Sequence, residues 1–195
     1  DRLKRLPVNL KWKKGRDYMV GYLGVMGKQE GIDHLLIAAN ILIYDYGYKN
    51  IQFVLVGGGT ELKAMQKMRD DLLLNDYVTF TGRIPDQPML EILNTSDICV
   101  NPDIYNTMND KSTMNKVMEY MALGKPIVQY DLTEGKFTAQ KASLYAKAND
   151  PKDFAEKILT LINNPQKRKE MGEYGYRRVK KELHWDIEAP KYLSV

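Results

Sequence analysis

Residues 101–131, NPDIYNTMNDKSTMNKVMEYMALGKPIVQYD, carry the residue types best suited to meeting an anion. Met114, Val117, Met118, Met121 and Ala122 recur at helical spacing, with Ser112 or Thr113 before them as a natural N-cap and Gly124 as a stop. The first amides of a helix have no intrahelical partner and the helix dipole favours negative charge there. The amides near Ser112 to Met114, with Lys111 beside them, would therefore face a diphosphate. Glu119 lies off the apolar stripe, one turn after Asn115, where an ordinary exposed glutamate is the plain alternative. The methionine stripe reads as core. Two glycine loops offer the same chemistry: Gly24, Gly27 and Gly31 with Lys28 between them, and Gly57, Gly58 and Gly59. Glycine lets backbone amides approach a phosphate, although a tight strand-to-helix turn without a ligand accounts for these glycines equally well.

The elements that must position these residues alternate along the chain. Apolar runs at 17–25, 51–59, 77–82, 97–102 and 126–131 predict five strands, and 143–146 a weaker sixth. Helical patterns lie between them: Leu35, Leu36, Ala39, Leu42 and Ile43, a polar helix near 60–74, and a short one opened by Asp86 over Met89, Leu90 and Leu93. Parallel neighbours need a crossover, so this alternation predicts a Rossmann-like, doubly wound parallel sheet of about six strands with helices on both faces. Ligands of such sheets bind beyond the carboxyl ends of the strands, where the glycine loops and the 101–131 segment fall. Two more helices follow, each begun by a capping side chain and a proline: Asn149, Asp150 and Pro151, with a stripe of Phe154, Ile158, Leu161 and Ile162, then Asn164 and Pro165.

The chain has 195 residues, 44% of them hydrophobic, which suits one domain with a continuous core. No run approaches the roughly 18 to 20 apolar residues of a membrane helix. Cys99 is the single cysteine, so no intramolecular disulfide forms and a reducing compartment is the default. The net charge of +4 is too small to demand an anionic partner. Basic residues cluster at 2–16 and 167–181, but Glu170 and Glu173 lie within the second cluster, so it reads as a solvated helix face rather than a nucleic-acid surface.

Taken in order, VGGG at 56–59, FTGRIP at 80–85, DICVNP at 97–102 and EYMALGKPIV at 119–128 resemble the C-terminal domain of family 4 (group 1) glycosyltransferases of the GT-B fold. The loop from Gly24 to Gly31 and the helical tail from 149 onward fit the same pattern. The resemblance implies that Glu119 would bind the ribose hydroxyls of a nucleoside-diphosphate sugar, a role suited to a group that accepts hydrogen bonds and donates none. It also implies that Arg83 and Ile84 would meet the base, and that the amides at Ser112 to Met114 would meet the phosphates. Lys28 and Lys111 would restore charge lost where the family's usual Arg and Lys are replaced by Val25 and Glu30. Lys111 itself stands where the family has the first of two glutamates. The segment 109–135 further resembles enzymes of cell-surface polysaccharide assembly.

The expected organisation is a linker at 1–16 from an absent N-terminal half, a nucleotide-sugar-binding domain at 17–183, and a helical tail at 184–195. A retaining transfer of this kind needs no metal, and with only His34 and His184 and no D-x-D motif none is expected; no cofactor is expected either. The expected partners are a nucleoside-diphosphate sugar and, through the absent half, a glycan or lipid-linked acceptor. The catalytic residues would lie in that half, leaving this chain inactive alone. The expected location is the cytoplasm, with peripheral contact at the inner face of the membrane. The rival reading is a non-catalytic nucleotide-sensing or interaction module. A nicotinamide-dependent dehydrogenase fits worst, because the second strand ends in VGGG rather than an acidic residue.

Overall fold

The computed structural model describes residues 3–183 together with Ile187 and Ala189. The six expected strands are present: β1 (Tyr18–Leu23), β2 (Ile51–Val56), β3 (Val78–Gly82), β4 (Ile98–Asn101), β5 (Ile127–Tyr130) and β6 (Ser143–Ala146). They form one parallel sheet in the order β3-β2-β1-β4-β5-β6. Helices connect them: α1 (Ile32–Asn40), α2 (Leu62–Asp71), α3 (Asp86–Thr95), α4 (Asn115–Ala122), α5 (Thr133–Ala139), α6 (Pro151–Ile162) and α7 (Pro165–Glu182). The chain builds outward from β1 to β3, then returns to the other side of β1 to lay down β4. The order therefore reverses between β1 and β4, the position at which open parallel sheets form a ligand crevice.

The strands are apolar along their length because helices cover both faces. Val20, Tyr22, Phe53, Leu55, Val128 and Tyr130 share a core with residues of α1 and α6. Met19, Val54, Val56, Cys99 and Ile127 point the other way, into a core closed by α3, α4 and α7. Burying each of these large side chains stabilises the fold by about 1.5 to 3 kcal/mol.

The caps of the last two helices follow the sequence. The Asp150 side chain accepts the amides of Lys152 and Asp153, and the Asn164 side chain accepts that of Lys167. Residues 3–16, expected as a linker, lie against the domain: Leu3, Leu6 and Trp12 pack on the second core, and the Asn9 amide donates to Thr95 Oγ1 at 2.9 Å. The expected tail at 184–195 falls almost wholly outside the described residues.

Two expectations need correction. Neither Ser112 nor Thr113 caps α4: the N-cap is Met114 and no side chain bonds to the helix amides there. Ser112 Oγ instead donates to the Met108 carbonyl, and Thr113 Oγ1 to Glu134 on α5. The buried stripe of α4 is Lys116, Val117, Tyr120 and Met121, so Met114, Met118 and Ala122 occupy its margins. The seven-residue α5 was not anticipated at all.

Candidate functional site

β1 and β4 pair only over Val20 with Ile98 and Gly21 with Cys99. Beyond that these two strands part, and Leu23 and Val100, still paired with β2 and β5, no longer bond to one another's strand. Tyr120 fills the gap from α4: its hydroxyl accepts the Leu23 amide at 2.8 Å and lies 3.3 Å from the Val100 carbonyl. Above this point, four loops converge.

The loops after β1 and β2 pair backbone to backbone. The Gly24 amide donates to Val56 O at 3.0 Å and the Met26 amide to Gly58 O at 3.1 Å. Gly57 has φ +132° and a side chain there would overlap the Gly24 carbonyl, so glycine is required for this pairing. The Gly57 amide then donates to Gly82 O at 3.0 Å, which draws in the loop after β3. Arg83 lies along Gly58, exposed, while Ile84 packs on the second core.

The loops after β1 and β4 are stapled as well. The Gln29 carbonyl accepts the Ile104 amide at 3.1 Å and Asn109 Nδ2 at 2.9 Å. Gly31, at φ +63°, admits the Pro102 carbonyl where any side chain would collide with it. Deep between these loops Lys116 Nζ donates to Glu30 Oε2 at 2.6 Å and to Asp103 Oδ1 at 2.8 Å. Tyr22 adds its hydroxyl, 2.8 Å from the Val25 carbonyl and 3.2 Å from Glu30 Oε2. Burial pushes the Asp103 carboxyl up to about 6 against the pull of Lys116, with Glu30 adding to the rise. Burial likewise raises the phenols of Tyr22 and Tyr120.

The sequence-derived residues thus fall into groups. Gly24, Gly57, Gly58, Arg83 and Ile84 come together along the carboxyl ends of β1 to β3. Lys111, Ser112, Thr113 and Met114 lie together on the approach to α4, Lys111 exposed on a 3-10 turn. Glu119 is half-buried on α4. Lys28 is exposed in a cleft of about 230 Å³ shared with Gly27, Ile32, Asp33, Glu61 and Met65. Sequence reasoning missed Tyr22, Asp103, Lys116 and Tyr120. Lys116 falls off the apolar stripe that the periodicity gives for α4, so the sequence carries no signal for it. Among the described residues no cluster of three His, Cys, Asp or Glu could hold a metal ion, and no helix is long and apolar enough to cross a membrane.

Glycosyl transferases group 1 is the family that matches, over residues 9–178. The chain belongs to this family. A curated relative, D-inositol 3-phosphate glycosyltransferase of Corynebacterium jeikeium, is 26% identical over 182 residues, covering 89% of this chain and 42% of that protein. Among solved structures, a variant of S. aureus TarM in complex with fondaparinux, alpha-GlcNAc-glycerol and UDP superposes with a TM-score of 0.80 at 21% identity. It covers 98% of this chain and 37% of TarM. Anabaena HepE in complex with UDP and glucose gives 0.77 at 17%, covering 92% of this chain and 48% of HepE. The group 1 chain described here spans less than half the length of the curated relatives it matches. The structural likenesses place its sheet in the GT-B fold.

Proposed function

We propose that this chain is the donor-binding half of a retaining family 4 glycosyltransferase, holding a nucleoside-diphosphate sugar in the crevice at the carboxyl ends of β1 and β4. The observation that carries the reading is the set of backbone bonds that ties together the loops after β1, β2, β3 and β4, with the loops after β1 and β4 meeting Lys116 of α4 where the strand order reverses. Family membership and the UDP complexes of TarM and HepE support it. In this reading Arg83 and Ile84 flank the base, Gly24, Gly57 and Gly58 line the floor, and Glu119 accepts the ribose hydroxyls. The amides at Ser112 to Met114, with Lys111 and Lys28 as nearby cations, meet the phosphates. The transfer proceeds without metal, since basic groups and helix amides stabilise the leaving diphosphate. The acceptor, a glycan or lipid-linked glycan of cell-surface polysaccharide, and the residues that act on it belong to a second half.

Titration calorimetry with UDP, GDP, ADP and their glucose conjugates tests the reading. One of them binds, with the same affinity in EDTA, and the 195-residue chain alone transfers no sugar. Binding of none, dependence on a divalent cation, or turnover by this chain alone contradicts it. A non-catalytic nucleotide-binding module is the second reading, favoured by the two carboxylates set against Lys116, which leave the crevice short of positive charge. Absence of both transfer and sugar-nucleotide hydrolysis by a full-length protein that still binds the nucleotide would favour it.

A further inference from the structure

Lys116 is 8% exposed and its charge is not balanced one to one. Its ammonium faces two carboxylates, Glu30 at 2.6 Å and Asp103 at 2.8 Å, and lies 5.1 Å from the centre of the Tyr22 ring. Asp103 is 1% exposed, and its second oxygen, Oδ2, is buried without a hydrogen-bond partner. Stability does not require such an arrangement, because well-packed apolar side chains in place of a buried ionic cluster are often at least as stabilising. The neighbours Val117 and Met121 show that α4 has an apolar core to extend. Two buried ionisable groups and the half-buried Glu30 are instead collected between the loops after β1 and β4, where open parallel sheets hold their ligands. Of the two cations that the donor reading sets near the phosphates, Lys28 is exposed beside Asp33 and Glu61, and Lys111 is exposed on its turn, so neither is held in place between the loops.

We propose that Lys116 is the cation of the donor crevice: its ammonium meets the diphosphate of the sugar donor, and Glu30 and Asp103 hold it in position while the crevice is empty. The inference rests on the donor-binding reading above and names a residue that reading does not contain.

A charge consequence separates this role from a purely structural one. With both carboxylates ionised the cluster carries two negative charges and one positive; a proton on Asp103 makes it neutral. A sugar diphosphate adds negative charge, so its binding favours the protonated carboxyl. Asp103 faces Glu30 from the loop after β1, Tyr22 from β1, and Lys116 and Tyr120 from α4. Burial raises both phenols, which stay protonated, and has already moved the Asp103 carboxyl to about 6. Binding therefore takes up protons near neutral pH, and affinity rises as pH is lowered from about 8 to about 6. The diphosphate of a sugar nucleotide does not itself titrate there, so the effect belongs to the protein.

The test is titration calorimetry of the 195-residue chain with UDP-glucose, GDP-glucose and ADP-glucose, in buffers of different ionisation enthalpy. The variants are Lys116→Met, Lys116→Arg and the double exchange Glu30→Lys with Lys116→Glu, each first shown to unfold cooperatively. Wild type is expected to bind at least one sugar nucleotide with net proton uptake. Lys116→Met should lose more than about tenfold in affinity, the scale of a hydrogen bond to a charged group, and Lys116→Arg should lose less. The double exchange, which moves the ammonium to the other end of the same pair, should recover most of that loss. Wild type binding none of the three would overturn the donor reading and this inference together. Wild type binding with Lys116→Met unchanged would overturn this inference alone. Should Lys116→Met fail to fold, wild-type binding without proton uptake would do the same.

Discussion

The Tyr120 hydroxyl accepts the backbone amide of Leu23 at 2.8 Å, across the gap where β1 and β4 separate. A side chain of α4 thereby replaces a ladder that the sheet cannot continue, and the crevice above it opens without leaving a buried amide unpaired. Tyr120 is completely buried, so water cannot take over the bond. Tyr120→Phe should lower the unfolding free energy by about 1 to 3 kcal/mol, the cost of an unsatisfied buried group. Urea denaturation measures it. A loss below a few tenths of a kcal/mol would mean that the Leu23 amide finds another partner.

The pairing of the loops after β1 and β2 makes a second expectation. Gly57→Ala puts a methyl group against the Gly24 carbonyl at a φ that side chains rarely adopt. The strain should cost about 1 to 3 kcal/mol of stability, and it falls on the floor of the proposed crevice. Donor affinity should fall in the same variant. Unchanged melting temperature together with unchanged affinity would show that the two loops separate freely.

Asp103 makes the stability depend on pH in a direction that can be worked out. Its folded carboxyl titrates at about 6, above the ordinary 3.8, so the native state holds its proton more tightly than the unfolded chain. The contribution of this group is fully present below the unfolded value and is lost as pH rises through the folded one. Wild type minus Asp103→Asn should therefore show a stability difference that turns against wild type between about pH 4 and pH 6 and is flat above. Urea midpoints across that range give the comparison. A difference that grows in favour of wild type with rising pH would mean that the pull of Lys116 outweighs burial.

Much of the fold is legible in the sequence because each signal is local. The strands are continuous apolar runs, and α6 and α7 announce themselves through Asp150 and Asn164 ahead of prolines. What escapes is settled at a distance. Thr133–Ala139 is short, contains Gly135 and has no apolar stripe, so α5 is held through its partners: Asp110 accepts the Thr133 amide at 2.8 Å and Glu134 accepts Thr113. That last bond also removes Thr113 from the cap its type and position suggest. The candidate site divides in the same way. Its glycines stand out by type, but the same glycines serve loop-on-loop packing. Lys116 reads as a surface charge until Glu30 and Asp103, 86 and 13 residues away in sequence, are brought against it.

Glu119 and Lys111 distinguish a donor site from an ordinary helix surface. If the half-buried Glu119 carboxylate accepts both ribose hydroxyls, Glu119→Gln should weaken a nucleoside and its diphosphate alike, by about 1 to 3 kcal/mol. Lys111, exposed and close to the amino end of α4, acts only on charge, and a cation there is slightly unfavourable to the helix dipole unless an anion compensates. Lys111→Ala should therefore weaken the diphosphate and leave the nucleoside almost untouched. Because Lys111 is exposed and screened, its loss should be smaller than that of Lys116→Met and should shrink further in added salt. Isothermal titration of both variants with uridine and UDP, or with whichever base binds, decides the matter. Equal losses for nucleoside and diphosphate in Lys111→Ala would remove Lys111 from the phosphate site, and no loss for either ligand in Glu119→Gln would return Glu119 to the protein surface.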